Sequence, residues 1–347
     1  MPIRVATLNI WSLPGPLARH KPDRMKAIGA VLPDLDLDVI AFQEVWTRPS
    51  RDALVAAAER SGLAHIWHNP NPWNGGGLLI ASKLPFREIQ FEAFVARGFP
   101  ERLQHLDYYS GKGFVRIRLE TPDGTIALIS THLHANYTRP GDDDIYLGIR
   151  AAQLIQIAAG LSQSTDPVIA IGDFNLLEDE AAYPMLLGLT GLRDLAAELD
   201  RRQATTLAQN PYHHPKHIDE RIDYVFFRDG ARLGLRPLSI ERNFDQLLDF
   251  DGEAGSCSDH SGLVAELEVH PEPAAETKDF LSASSFEIGT RLLEEGKNVS
   301  QRRRFAKKGL GFAFFAKPLG LSAWMSRLEH AGYDFAERQL TELRRDG

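Results

Sequence analysis

The stretch that most narrows what this chain can become is Val168-Ile169-Ala170-Ile171-Gly172-Asp173-Phe174-Asn175. Four apolar residues read as a short buried strand, and a glycine, a carboxylate and an amide then arrive where such a strand ends. Glycine there permits a tight turn or a close backbone approach. Asp173 and Asn175, two residues apart, can reach one ligand between them, and loops at strand ends are where a rigid scaffold carries reactive groups. The same residues also make ordinary turns, so the reading depends on whether the pattern recurs.

It recurs along the chain. Ile3–Ile10 reads as a strand with Asn9 at its end, and Val39–Phe42 closes on Gln43-Glu44. Thr125–Thr131 is followed by His132 and His134, Asp223 opens Asp223–Phe227, and Asp259-His260 stand just before Gly262–Val269. Each has a plain structural reading. Asn9 suits a turn and Glu44 a solvated strand end. One of His132 and His134 can face the core and the other solvent. Asp223 can pair with Arg221, and Asp259-His260 can cap a strand. Taken together, carboxylates gathered at one edge of a sandwich need a counter-cation. A hard cation such as Mg²⁺ takes one or two carboxylates plus waters and substrate oxygens, with Glu44 the best ligand candidate. A neutral histidine oriented by a carboxylate can take a proton from water, and Asn and His donors can bind phosphoryl oxygens where charge grows. Such a set is equipped to hydrolyse a phosphoester.

Between these ends, Asp23–Leu32 and Arg51–Glu59 read as helices, the first ended by Pro33. Asn69–Gly77 is a loop that leads into a strand at Leu78–Ala81. Phe114–Glu120 and Thr125–Thr131 flank Pro122-Asp123-Gly124, a hairpin signal. Ile145–Leu161 is the clearest helix, with one broad stripe through Ile145, Ile149, Ala152 and Ile155. Hairpin strands with a few helices between them predict an α+β chain. Its core is a two-layered β-sandwich flanked by helices over residues 1–270, followed by a linker at 271–277 and a helical C-terminal extension at 278–347.

The net charge of -8 is unevenly spread: 26 Lys and Arg against 36 Asp and Glu through His270, then 13 against 11. An acidic catalytic region is a poor nucleic-acid binder, because phosphate affinity comes largely from clustered cations. The single cysteine, Cys257, rules out an internal disulfide framework. The start of the chain runs straight into a strand pattern without a signal-peptide core, so a cytoplasmic location is expected.

The five short motifs, in order, resemble the endonuclease/exonuclease/phosphatase superfamily of metal-dependent phosphoesterases. They are Thr7-Leu8-Asn9, Phe42-Gln43-Glu44-Val45-Trp46, Gly172-Asp173-Phe174-Asn175, Arg221-Ile222-Asp223-Tyr224 and Ser258-Asp259-His260-Ser261. Within it, three stretches look like the neutral sphingomyelinases. Leu8–Pro14 is similar to their first-strand signature, with Ile10 and Ser12 where Cys and Gly are usual. Thr131–Ala135, followed by Asp144–Leu147 and Arg150–Gln153, is similar to their central segment. Asp107–Gly113 looks like their Ser-Gly-Lys loop.

The resemblance implies a Mg²⁺ enzyme, with Mn²⁺ or Co²⁺ as substitutes. By it, Glu44 ligates the metal, Asn9 lies in the metal's shell and Asp259 positions the metal or its waters. Asp173 and Asn175 position the attacking water and the phosphate, and His132 contacts the phosphate. His260 is the general base oriented by Asp223, although family mechanisms divide between the final His and Asp173 for that role. Asp107 and Lys112 are the candidate switch pair. The implied reaction is phospholipase C-type hydrolysis of a choline phospholipid, sphingomyelin or a lyso-lipid, releasing phosphocholine. A nuclease on the same machinery is the alternative. An inositol-phosphate phosphatase is third, because its Trp-Cys-Asp-Arg motif is absent.

Residues 296–328 hold eight Lys or Arg and no acid, with Phe305, Phe312, Phe314, Phe315 and Trp324 interleaved. Basic residues beside aromatic ones suit peripheral contact with an anionic membrane. The competing reading is a helical pair packed on the catalytic domain with its charges solvated. The oligomeric state is left open.

Overall fold

The structure is a computed structural model that describes residues 2–71, 75–102, 105, 107–138, 143–271, 280–314 and 319–346, without the side chains of 304–314, 319–325 and 346. The 271–277 linker, from 272 on, lies outside the described residues.

Strands β1 (Pro2–Asn9), β2 (Val39–Gln43), β3 (His65–His68) and β4 (Leu79–Ser82) begin the first sheet. The second is built from β5 (Phe86–Ala93), β6 (Gly113–Thr121), β7 (Gly124–His132), β8 (Val168–Asp173), β9 (Arg193–Asp194) and β10 (Asp223–Arg228). β11 (Gly234–Asn243) returns to the first sheet, β12 (Leu248–Phe250) and β13 (Glu253–Gly255) form a separate hairpin, and β14 (Gly262–His270) completes the first sheet. The strand orders are β11-β14-β1-β2-β4-β3 and β5-β6-β7-β8-β10-β9. The expected sandwich is present, and both sheets are mixed: β1 runs parallel to β2 and β7 parallel to β8.

Alternation along the strands sorts the core into three layers. Ile3, Val5, Ile126, Leu128, Ile169, Ile171, Val225 and Phe227 pack between the sheets. Ala6, Leu8, Ile40 and Phe42 point the other way, onto α1 (Lys21–Val31) and α2 (Arg48–Arg60). Ala127, Ile129, Val168, Ala170 and Phe226 face α3 (Leu147–Leu161) and α4 (Ala182–Thr190). The short α5 (Leu195–Glu198) starts on Asp194, whose carboxylate accepts from the Ala196 and Ala197 N–H groups.

The broad stripe expected on α3 understates its burial. Arg150, Ala151, Leu154, Ile157 and Ala158 are buried as well. The reason is a second covering on the side away from the sheet, made by α6 (Ala283–Phe314) and α7 (Leu319–Asp346). Leu292, Leu293, Tyr333, Leu340 and Leu343 join the same apolar cluster as α3 and α4. Helices α3 and α6 touch at glycines: a Cβ on Gly148 would lie 2.6 Å from the Gly296 Cα. Lys297 ties the two final helices together through Asp334 (2.9 Å) and Glu337 (2.7 Å). The described part of the extension therefore packs on the sandwich. The aromatic side chains from Phe305 to Trp324 lie outside the described residues.

Candidate active site

The residues that fill the inter-sheet layer continue, with the same alternation, into polar residues at one end of the sandwich. On β7 the sequence Ile126, Leu128, Ser130 leads to His132, and on β8 Ile169 and Ile171 lead to Asp173. On β10 Phe227 and Val225 lead back to Asp223, and on β1 Val5 and Thr7 lead to Asn9. Strand register then sets three of them side by side, because His132 pairs with Asp173 across β7–β8 and Asp223 pairs with Asp173 across β8–β10. Gly172 makes this spacing attainable. Its φ is 143°, and a Cβ there would sit 2.1 Å from the Thr131 carbonyl oxygen. The glycine thus serves a close approach between strands, one of the two roles expected of it.

Glu44 enters from the facing sheet, just beyond β2, at a φ of 58°. The Asn9 carboxamide links the two sheets. Its Oδ1 accepts from the Trp11 N–H at 3.0 Å, which leaves Nδ2 to donate to Asp173 Oδ2 (2.9 Å) and Glu44 Oε1 (3.2 Å). His132 Nε2 lies 3.4 Å from Asp173 Oδ2 and 3.9 Å from Glu44 Oε1. From the last loop, His260 Nδ1 meets Asp223 Oδ2 at 2.8 Å, and its Nε2 stands 4.0 Å from Asp173 Oδ2. Asp259 lies beside this group, held by the Ser258 hydroxyl, which reaches its carboxylate at 3.2 Å and the Asn9 carbonyl at 2.7 Å. Asn175 folds back in an Asx turn, with its N–H on Asp173 Oδ1 (3.0 Å) and its amide on the Leu133 carbonyl (3.2 Å).

Asp107 and Lys112 form a buried ion pair at 2.9 Å. Lys112 Nζ also donates to the Leu133 carbonyl (2.8 Å), and Asp107 accepts from the Ala135 N–H (2.8 Å). One carbonyl, that of Leu133, thus receives both Lys112 and Asn175.

Two of the plain alternatives fail. Arg221 turns away from Asp223 to Asp194 and Glu178, both at 2.7 Å. His134 does not face solvent: it is buried beside Asp107 (3.5 Å), with its ring stacked on Tyr146. Strand β7 ends at His132, so alternation no longer governs His134.

The electrostatics show what the cluster lacks. Burial and then Asp259 raise the Glu44 carboxyl, and burial and then Asp223 raise that of Asp173. Burial, with Lys112 and His260 adding to it, holds His132 well below the usual histidine value. For His260 burial is the largest single influence and disfavours charge, but Asp223, together with Asp173 and Asp259, outweighs it and lifts the imidazole well above its ordinary value. Glu44 Oε2 and Asp223 Oδ1 are buried acceptors without a hydrogen-bond partner. Crowded carboxylates with idle oxygens are a donor set that fits a hard divalent cation. Among the described residues, ligand atoms of Asp173, Asp223 and His260 also fall within 4.8 Å of one another. Two of those atoms, Asp223 Oδ2 and His260 Nδ1, are the pair already bonded to each other at 2.8 Å.

Beside His260 opens a cleft of about 170 Å³ lined by Asn136, Asn175, His213, His217 and Glu220 among others. No motif marks this wall. The only signal in the sequence is the run Tyr212-His213-His214-Pro215-Lys216-His217.

A double sheet whose facing ends converge on acids, amides and imidazoles is the architecture of a metal-assisted phosphoesterase, and the chain belongs to the endonuclease/exonuclease/phosphatase family, whose model matches residues 6–260. Within that family it resembles the neutral sphingomyelinases. It is 27% identical over 310 residues to a putative neutral sphingomyelinase of Drosophila melanogaster, covering 86% of this chain and 67% of that one. It is 29% identical over 286 residues to sphingomyelin phosphodiesterase 2 of Homo sapiens, covering 78% and 66%. The chain thus spans about two thirds of the length of these relatives. The crystal structure of sphingomyelinase C from Streptomyces griseocarneus has the same fold, with a TM-score of 0.58 at 20% identity, covering 77% of this chain and 99% of that one.

Proposed function

We propose that the chain is a Mg²⁺-dependent phosphodiesterase that cleaves a choline phospholipid, sphingomyelin or a lyso-lipid, in phospholipase C fashion and releases phosphocholine. The observation that carries this reading is the Asn9–Glu44–Asp173 junction, where two sheets bring carboxylates together around an idle buried oxygen, with an Asp223–His260 pair alongside. The headgroup and the lipid class come from likeness to the curated sphingomyelinases.

Glu44 would hold the cation, with Asp259 beside it, and Asn9, whose Nδ2 faces the carboxylates, would fix Glu44 and Asp173 around it. Bound there, it would supply Lewis-acid chemistry, polarising a phosphoryl oxygen and offsetting the charge that grows on it. The chain's own groups do the rest. His260, oriented through Nδ1 by Asp223, takes the proton of the attacking water at Nε2. Asp173 and Asn175 hold that water and the phosphate in line. His132, kept neutral by its burial, donates to a phosphoryl oxygen as negative charge develops. Asp107 and Lys112 set the Leu133 carbonyl, and through it the Asn175 amide. Residues 1–270 form the catalytic unit and 278–347 the extension, with 296–328 as its membrane contact, supported by the eight cations and absent acids of that stretch. No helix of the described residues is long and apolar enough to cross a membrane.

The test is ester release from sphingomyelin, lysophosphatidylcholine, phosphatidylcholine and double-stranded DNA, each with Mg²⁺ and with EDTA. Phosphocholine release that EDTA abolishes is the expected result. Cleavage of DNA without lipid turnover would keep the family and replace the substrate.

A further inference from the structure

The cleft beside His260 is built rather than incidental. Thr206 makes a backbone bridge to Glu220 on one side and to His260 on the other, so the main chains that carry the carboxylate and the catalytic imidazole are held on either side of one residue. The Thr205 and Thr206 N–H groups both donate to the Glu220 carbonyl, at 2.8 and 3.0 Å. Three residues further on, the same segment supplies Asp223.

The two acids that line the cleft, Glu180 and Glu220, are paired differently. Glu180 accepts from Arg150 at 2.7 Å and from the Leu177 N–H at 3.2 Å. Arg221, next to Glu220 in sequence, is engaged with Asp194 and Glu178. Among the described residues no side-chain hydrogen bond or ion pair reaches the Glu220 carboxylate, and burial and then Glu180 raise its pKa against an opposing pull from His260. On the same wall, His213 donates from Nδ1 to the Leu207 carbonyl (2.8 Å), and its ring packs 3.9 Å from that of His217. His217 Nε2 is buried without a partner. Burial and then His213 push His217 down.

We infer that this cleft takes the cationic end of the substrate headgroup, an organic ammonium such as choline, with Glu220 as its counter-charge and the imidazoles of His213 and His217 lining its wall. The inference rests on the phosphodiesterase reading above and assigns the residues that meet its headgroup. A quaternary ammonium offers charge but no hydrogen-bond donor, which matches a carboxylate that has no hydrogen bond. Cavities of about 150 Å³ admit a group the size of benzene, so the volume suits a trimethylammonium. A second phosphate would meet Glu180 and Glu220. A second metal is less suited, because among the described residues only Asp173, Asp223 and His260 bring three ligand atoms within 4.8 Å.

The experiment uses the full chain with Mg²⁺ and two soluble diesters, p-nitrophenyl phosphorylcholine and methyl p-nitrophenyl phosphate, so that membrane contact plays no part. The wild type is expected to favour the choline ester in kcat/KM, and tetramethylammonium is expected to inhibit competitively. Glu220→Gln is expected to cut that preference on the order of tenfold, through KM, as removal of one partly screened charge implies. It should also weaken tetramethylammonium inhibition, and Glu220→Asp should restore part of both. An unchanged preference in Glu220→Gln would overturn the subsite while leaving the phosphodiesterase reading intact. So would a rise in the Mg²⁺ needed for half-activity without a change in preference, since it would make Glu220 a metal ligand. Hydrolysis of neither ester, nor of the lipids above, would overturn both readings.

Discussion

Each residue at the junction owes its state to its neighbours more than to its own chemistry. His260 is the clearest case, because burial pulls its imidazole down and the carboxylates around it, Asp223 foremost, pull it up and win. Since the base must be deprotonated to work, its pKa sets the acid limb of the pH–rate profile. Asp223→Asn removes the larger favourable charge, so that limb is expected to move to lower pH while kcat falls. His260→Ala is expected to lower kcat by about 10²–10⁴-fold and to remove the limb. A pH profile of kcat/KM for the three proteins checks both, and an Asp223→Asn limb that moves to higher pH would break the proposed pairing. At this scale the sequence was informative about identity and poor about partners. The five motifs already marked Asn9, Glu44, Asp173, Asp223 and His260, because a polar residue ending an apolar run is visible locally. Asp223's choice of His260 over the adjacent Arg221 is not local, since Asp194 and Glu178, 27 and 43 residues away from Arg221, draw the arginine off.

Among elements, the parallel pair β7–β8 carries the most consequence, since its register sets His132 beside Asp173. Gly172 lets the strands meet there, and a methyl group would collide with the Thr131 backbone. Gly172→Ala is therefore expected to cost on the order of 1–3 kcal/mol, from strain at positive φ and overpacking. It is also expected to reduce kcat more than KM, as Asp173 is displaced. Urea unfolding alongside steady-state kinetics measures both, and wild-type values would show that the strands separate without consequence. Apolar runs such as Val39–Phe42 and Val168–Ile171 revealed the central strands. The edge strands β3 and β5 did not announce themselves, because His65–His68 and Phe86–Ala93 are half exposed and carry no strong alternation. The Glu220–Thr206–His260 bridges were hidden for a different reason: backbone pairing between isolated residues leaves no trace in composition.

For the whole molecule, the extension is part of the core. Phe286, Leu292, Leu293, Tyr333, Leu340 and Leu343 are buried against the helices of the second sheet. At about 1.5–3 kcal/mol for each large side chain, their loss is comparable with the roughly 5–15 kcal/mol that holds a domain folded. A chain cut at residue 277 is expected to unfold or aggregate and to lose activity on soluble diesters and vesicles alike, as thermal unfolding and parallel assays would register. A truncated protein with the wild-type melting temperature would instead make the extension an independent unit. From the sequence, the helical character of 278–347 was legible, whereas its docking was not, because the notch between Gly148 and Gly296 joins residues 148 positions apart.

The central claim is that the end of the sandwich holds a divalent cation through Glu44 and uses it to cleave a phosphodiester. The most direct measurement is calorimetric titration of Mg²⁺ into the metal-free wild type and Glu44→Gln, with phosphocholine release from sphingomyelin read on the same samples. The account predicts Mg²⁺ binding and lipid turnover in the wild type, and loss of both in a Glu44→Gln protein that remains folded. Undiminished Mg²⁺ binding and turnover in Glu44→Gln would contradict it.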